Sequence, residues 1–129
     1  LIEAFKETPE FSIIVGTEMF LPETILYGGH GAVAGGANFL PELFVDLYNA
    51  SVVNNLEDIK ILRNKVAFVN SSIYCVGKNA SRITKGIKCA LSVMDICEDH
   101  MALPLRKFEN GEREKVKEYL DQFAGTQVI

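Results

Sequence analysis

Phe11-Ser12-Ile13-Ile14-Val15-Gly16-Thr17-Glu18 and Gly28-Gly29-His30-Gly31-Ala32-Val33-Ala34-Gly35-Gly36-Ala37-Asn38 are the stretches that decide the fold. In the first, an apolar and largely β-branched run, residues 11–15, ends at a glycine, the pattern of a buried parallel strand. In the second, a tiny apolar run over residues 32–34 is bracketed by glycines and reads as another short strand. Between them, residues 18–27 carry Phe20, Leu21, Ile25 and Leu26 with Glu23 and Thr24 opposite, and Pro22 suits the first turn of a short helix. Asn38 is expected to cap a further helix over residues 39–49, in which Leu40, Leu43, Phe44, Leu47 and Tyr48 repeat at helical spacing. Upstream, Leu1, Ile2 and Phe5 read as the end of a helix begun earlier, since Leu1 is not an initiator methionine, and Thr8-Pro9-Glu10 stops it. The alternation of helix and strand predicts a parallel sheet.

From residue 56 onward the pattern is wholly helical. Ile59, Leu62, Val66, Val69 and Ile73 step by three or four residues behind an Asn55 cap, with the end expected near Gly77. A second helix is expected over residues 81–96 with Ile83, Ile87, Leu91 and Met94 on one face. A third, over residues 111–124, buries Val116, Tyr119, Leu120 and Phe123 and stops at Gly125. Leu103-Pro104-Leu105 reads as an extended connector.

Two parallel strands alone cannot bury both faces of a sheet. A complete eight-stranded barrel needs about 250 residues, against the 129 present. The expected class is therefore α/β: the last two βα units of a (β/α)8 TIM barrel, residues 1–55, followed by a C-terminal three-helix extension, residues 56–129.

Composition narrows the function. With 48% hydrophobic and 23% charged residues the chain should fold. A net charge of −4, with no long Lys/Arg run, argues against nucleic acid as a partner. Apolar runs are far shorter than the roughly 20 residues needed to span a bilayer, so no membrane partner is expected and the location reads as cytoplasmic. Cys75, Cys89 and Cys97 lack CxxC spacing and read as reduced core thiols. The Asn-x-Ser triplets at Asn49, Asn70 and Asn79 read as chance, without a signal peptide to carry them to a glycosylating compartment.

The two glycine-bounded stretches, with Pro41-Glu42 after the second, resemble the seventh and eighth strand segments of the dihydrodipicolinate synthase and N-acetylneuraminate lyase family. Ile87-Lys88-Cys89-Ala90-Leu91 and Leu103-Pro104-Leu105 resemble that family's C-terminal helices and connector. The resemblance implies a class I aldolase or lyase, commonly a homotetramer, that binds pyruvate or another 2-oxo acid together with an aldehyde. A lysine amine forms a Schiff base with the ketone, which then serves as electron sink. No cofactor and no metal is implied. The family's lysine lies on the sixth strand, upstream of Leu1, so no catalytic residue is expected in this chain.

What the resemblance leaves here is substrate binding by Gly16, Thr17, Glu18, Val33 and Gly35. Gly16 would allow close backbone approach, and Thr17 and Glu18 would face the part of the substrate beyond the pyruvate unit. Val33 would lie beside the pyruvate and Gly35 near the substrate tail. The plainer readings are a strand-to-helix turn, with Glu18 favouring a helix N-terminus, and a Val33 that fills a barrel interior. Lys85 and Lys88 sit off the Ile83, Ile87, Leu91 face and read as solvated helix lysines. His30 and His100 are too isolated for a metal site, and His30 reads as structural. The glycines do not make a dinucleotide fingerprint, because the strand lies inside the motif. A phosphosugar-binding barrel ranks lower, as no Lys or Arg accompanies the glycines. A chain that serves only as a structural or assembly module is the remaining alternative.

Overall fold

The structure, a computed structural model, describes residues 1–125 of the chain. Its order is α1 (Ile2–Phe5), β1 (Ile14–Val15), α2 (Leu21–Leu26), β2 (Gly31–Ala32), α3 (Pro41–Val52), α4 (Leu56–Ser71), α5 (Arg82–Val93) and α6 (Asn110–Gly125). Short 3-10 turns occupy Glu18–Phe20, Gly35–Asn38 and Ile73–Cys75. Two compact units divide between Val66 and Ala67, within α4.

In the first unit, β1 and β2 pair in parallel, Ile14 opposite Gly31 and Val15 opposite Ala32. The alternating order expected from the glycine-bounded runs is what the chain forms, with shorter strands. Each strand keeps only two ladder positions. Single bonds extend the ladder on either side, from His30 N to Ile13 O at 2.8 Å and from Val33 N to Val15 O at 2.9 Å. The His30 ring adds a third, its Nδ1 accepting from Ile13 N–H at 2.9 Å, so this histidine is structural. Gly29 is required by packing: a Cβ there would sit 2.5 Å from Thr24 Cγ2 and 2.8 Å from the Thr24 carbonyl.

α2 and α3 pack on one another. Leu21, Phe39, Leu43, Phe44 and Leu47 form the core of this unit. Asn38 does not cap α3. Its Nδ2 donates to Gly35 O at 2.9 Å inside the 3-10 turn, and the helix starts only at Pro41. The reason is the proline, which disfavours helical backbone in the residue before it and holds Leu40 at φ −132°. Asn55 does cap α4, as expected: its Oδ1 accepts from Asp58 N–H at 3.3 Å and its Nδ2 donates to Asp58 Oδ2.

α4 ends at Ser71, well before Gly77. The hydroxyls of Ser71 and Ser72 both donate to the Phe68 carbonyl, which competes with continuation of the helix. The following turn, Ile73–Cys75, packs against α5 and α6. On α5 the buried face is Gly86, Cys89 and Ala90, while Ile83 and Met94 are exposed. Gly86 explains this choice, because its bare Cα lets the helix approach so closely that a Cβ would lie 2.7 Å from Ile73 O. Only Cys89 is a core thiol; Cys75 and Cys97 are exposed, contrary to the expectation, Cys75 at the end of the 3-10 turn after α4 and Cys97 on the irregular segment after α5. On α6, Val116 is buried and Tyr119, Leu120 and Phe123 are half-buried. The stop expected at Gly125 depends on residues 126–129, which lie outside the described residues.

Candidate functional site

Parallel pairing makes both strands of the first unit leave the sheet at the same end. The residues that follow are the ones the sequence points to: Gly16, Thr17 and Glu18 after β1, Val33 and Gly35 after β2. Gly16 and Thr17 are exposed, and a Cβ on Gly16 would meet nothing within 4 Å. Val33 is 72% exposed, although an apolar residue this large, fixed beside a sheet, is ordinarily covered. Gly35 is half-buried.

Glu18 is different. Only 5% exposed, it turns inward, and its Oε2 accepts from the backbone N–H of Gly36 at 3.0 Å. The bond joins the two strand-end turns across 18 residues of sequence. Sequence reasoning missed it, because an acid after a strand and a glycine pair after the next carry no signal that they meet. The signal available was weak: Glu18 and Gly36 each lie just beyond a strand end, and parallel strands bring such positions together.

Chemically this end of the sheet offers backbone groups, a threonine hydroxyl and small or apolar side chains, and no cation. Among the described residues no group of three His, Cys, Asp or Glu side chains is placed to hold a metal ion. An apolar cavity of about 510 Å³ in the same unit is lined by Ile2, Ile13, Ile14, Val15, Thr24 and Tyr27, so it flanks the strands and does not include the strand-end turns. None of the lysines among the described residues is buried. Lys88 Nζ donates to the His100 carbonyl and Lys85 lies 5.8 Å from the Phe108 ring centroid, both as accessory packing on α5.

The second unit has a buried acid of its own. Asp99, 4% exposed, takes Arg113 on Oδ2 at 3.5 Å and Lys107 on Oδ1 at 3.3 Å, and Arg113 also donates to Ser92 Oγ at 3.1 Å. Burial pushes the nearby Cys89 thiol up from its ordinary pKa, opposed in part by the Arg113 guanidinium. Among the described residues no helix is long and apolar enough to cross a membrane.

Known proteins match this arrangement. The sequence profile of the Dihydrodipicolinate synthetase family matches residues 1–123. The 4-hydroxy-tetrahydrodipicolinate synthase of Neisseria meningitidis serogroup C is 28% identical over 117 residues, which is 90% of this chain and 38% of that protein. Among solved structures, dihydrodipicolinate synthase from Bacteroides thetaiotaomicron superposes with a TM-score of 0.91 at 45% identity, over 94% of this chain and 41% of that one. A prophage protein of the dihydrodipicolinic acid synthase family from E. coli K12, solved in complex with pyruvate, shares the fold at a TM-score of 0.81 and 20% identity, over 95% of this chain and 40% of that one. These neighbours are TIM barrels, and the chain spans about two-fifths of the length of the relatives it matches. With its paired parallel strands, its glycine-bounded strand ends and a profile match along nearly its whole length, the chain belongs to the dihydrodipicolinate synthetase family, a family of lyases.

Proposed function

We propose that the protein containing this chain is a pyruvate-dependent lyase of the class I aldolase type. Residues 1–55 supply the last two βα units of its barrel, and residues 56–129 supply the helical extension. One observation carries the reading: the turns after β1 and β2 stand together at the end of a parallel sheet where barrel enzymes place their sites, in a chain of a lyase family. Gly16 allows close backbone approach, Thr17 faces the substrate beyond its pyruvate unit, Val33 lies beside the pyruvate and Gly35 near the tail. Glu18 belongs to the same site. The exposure of Ile14, Phe11 and Val33 supports neighbours from the rest of a barrel against these strands.

A Schiff-base lysine needs its amine desolvated so that it is unprotonated at neutral pH. None of the lysines among the described residues meets that requirement, which supports a nucleophile outside this chain. The assembled enzyme is a cytoplasmic homotetramer in this reading, acting on pyruvate or another 2-oxo acid and an aldehyde. The test is to incubate the full-length protein with pyruvate and borohydride and map the reduced adduct by peptide mass. A single modified lysine outside residues 1–129 is expected. An adduct on Lys85 or Lys88, or none at all, contradicts the proposal.

A further inference from the structure

The geometry assigns Glu18 the part of a positioning residue: it fixes the turn after β2 in the shape that receives the 2-oxo acid, and does so as a hydrogen-bond acceptor and not as a charge presented to the substrate. This rests on the lyase reading above. The observations are the burial of the side chain and the Oε2 bond to Gly36 N–H. Gly36 is buried and follows Gly35 directly, and Val33 stands at the start of the same turn. A turn rich in small residues has little side-chain packing to hold it, so its conformation depends on the bonds its backbone makes. Asn38 Nδ2 secures the Gly35 carbonyl from within the turn, and Glu18 secures the Gly36 amide from the neighbouring strand end. The two strand-end turns are thereby held as one surface.

A glutamine can accept the same bond through its amide carbonyl, whereas alanine cannot. In the full-length protein, borohydride trapping is followed against pyruvate concentration for wild type, Glu18→Ala and Glu18→Gln. Glu18→Ala should raise the pyruvate concentration for half-maximal trapping by roughly tenfold or more, the scale of a misplaced binding group. Its trapping rate at saturation should stay within about threefold, because the nucleophile stands elsewhere. Glu18→Gln should rescue most of the binding loss. A merely structural role would lower the folded fraction, and so the amplitude, without moving the half-saturation point. Folded Glu18→Gln as damaging as Glu18→Ala would overturn the proposal in favour of a charge in contact with substrate, and so would Glu18→Ala with unaltered half-saturation. If Glu18→Ala does not fold, Glu18→Gln alone decides. If wild type traps no pyruvate, the lyase reading fails by itself. Hydrogen exchange at the Gly36 amide, faster in Glu18→Gln only if the bond is lost, then reads the latch separately.

Discussion

The unit before Ala67 and the unit after it treat their buried acids in different ways. The strand unit leaves apolar residues of its sheet open, with Ile14 54% and Val33 72% exposed, and ties its strand-end turns together with a buried acid. The helical unit leaves apolar residues open too, among them Ile83 and Leu103, but it differs in how its buried polar groups are met. Small residues on α5 seat against the Ile73–Cys75 turn, and its buried aspartate is matched by two cations. Uncovered strands beside an organised strand-end surface are what a site shared with other segments requires. Internal pairing is what a supporting extension requires. The proposed function places binding in the first unit and support in the second.

The largest effect expected from breaking this contrast is on the core that supports the strand ends. Phe39 is 2% exposed and immediately follows the Gly35–Asn38 turn. Phe39→Ala should cost about 3–5 kcal/mol, read as a shift of the denaturation midpoint, and should weaken pyruvate trapping as well. In the helical unit, Gly86→Ala forces a methyl against the Ile73 carbonyl and should cost about 1–3 kcal/mol while leaving the pyruvate half-saturation point where it was. A loss of pyruvate affinity in Gly86→Ala would show that the helical unit takes part in binding.

The smallest effect is one of pH. Because the Cys89 pKa is raised on folding, its ionisation favours the unfolded chain. Its contribution is fully present below the unfolded thiol value, about 8.5, and is lost as pH climbs from there through the folded value. Cys89→Ala should therefore flatten the decline of stability on the alkaline side, measured as the change in denaturation midpoint between neutral and alkaline buffers. An unchanged slope contradicts burial as the cause.

Much of the strand unit was legible in the sequence because its signals are local. The short apolar runs beside Gly16 and Gly31 mark the two strands, and Pro22 and Pro41 mark the helix starts. Asn38 misled because its capping chemistry is equally at home in a 3-10 turn, and the proline three residues beyond it barred the helix from starting earlier. The inward turn of Glu18 was not legible, since its partner is a backbone amide that only strand pairing brings near. α5 misled for another reason. Hydropathy points to Ile83 and Met94, but the buried face is chosen by size, and Gly86, Cys89 and Ala90 permit the closest approach.

In the proposed function the strand-end turns bind and the helical unit supports. Peptide-resolved hydrogen exchange of the full-length protein, with and without pyruvate, tests it most directly. Pyruvate should slow exchange at residues 16–18 and 33–36 and leave residues 82–93 and 110–125 unaffected. Protection confined to α5 or α6, with none at the strand ends, would contradict the account.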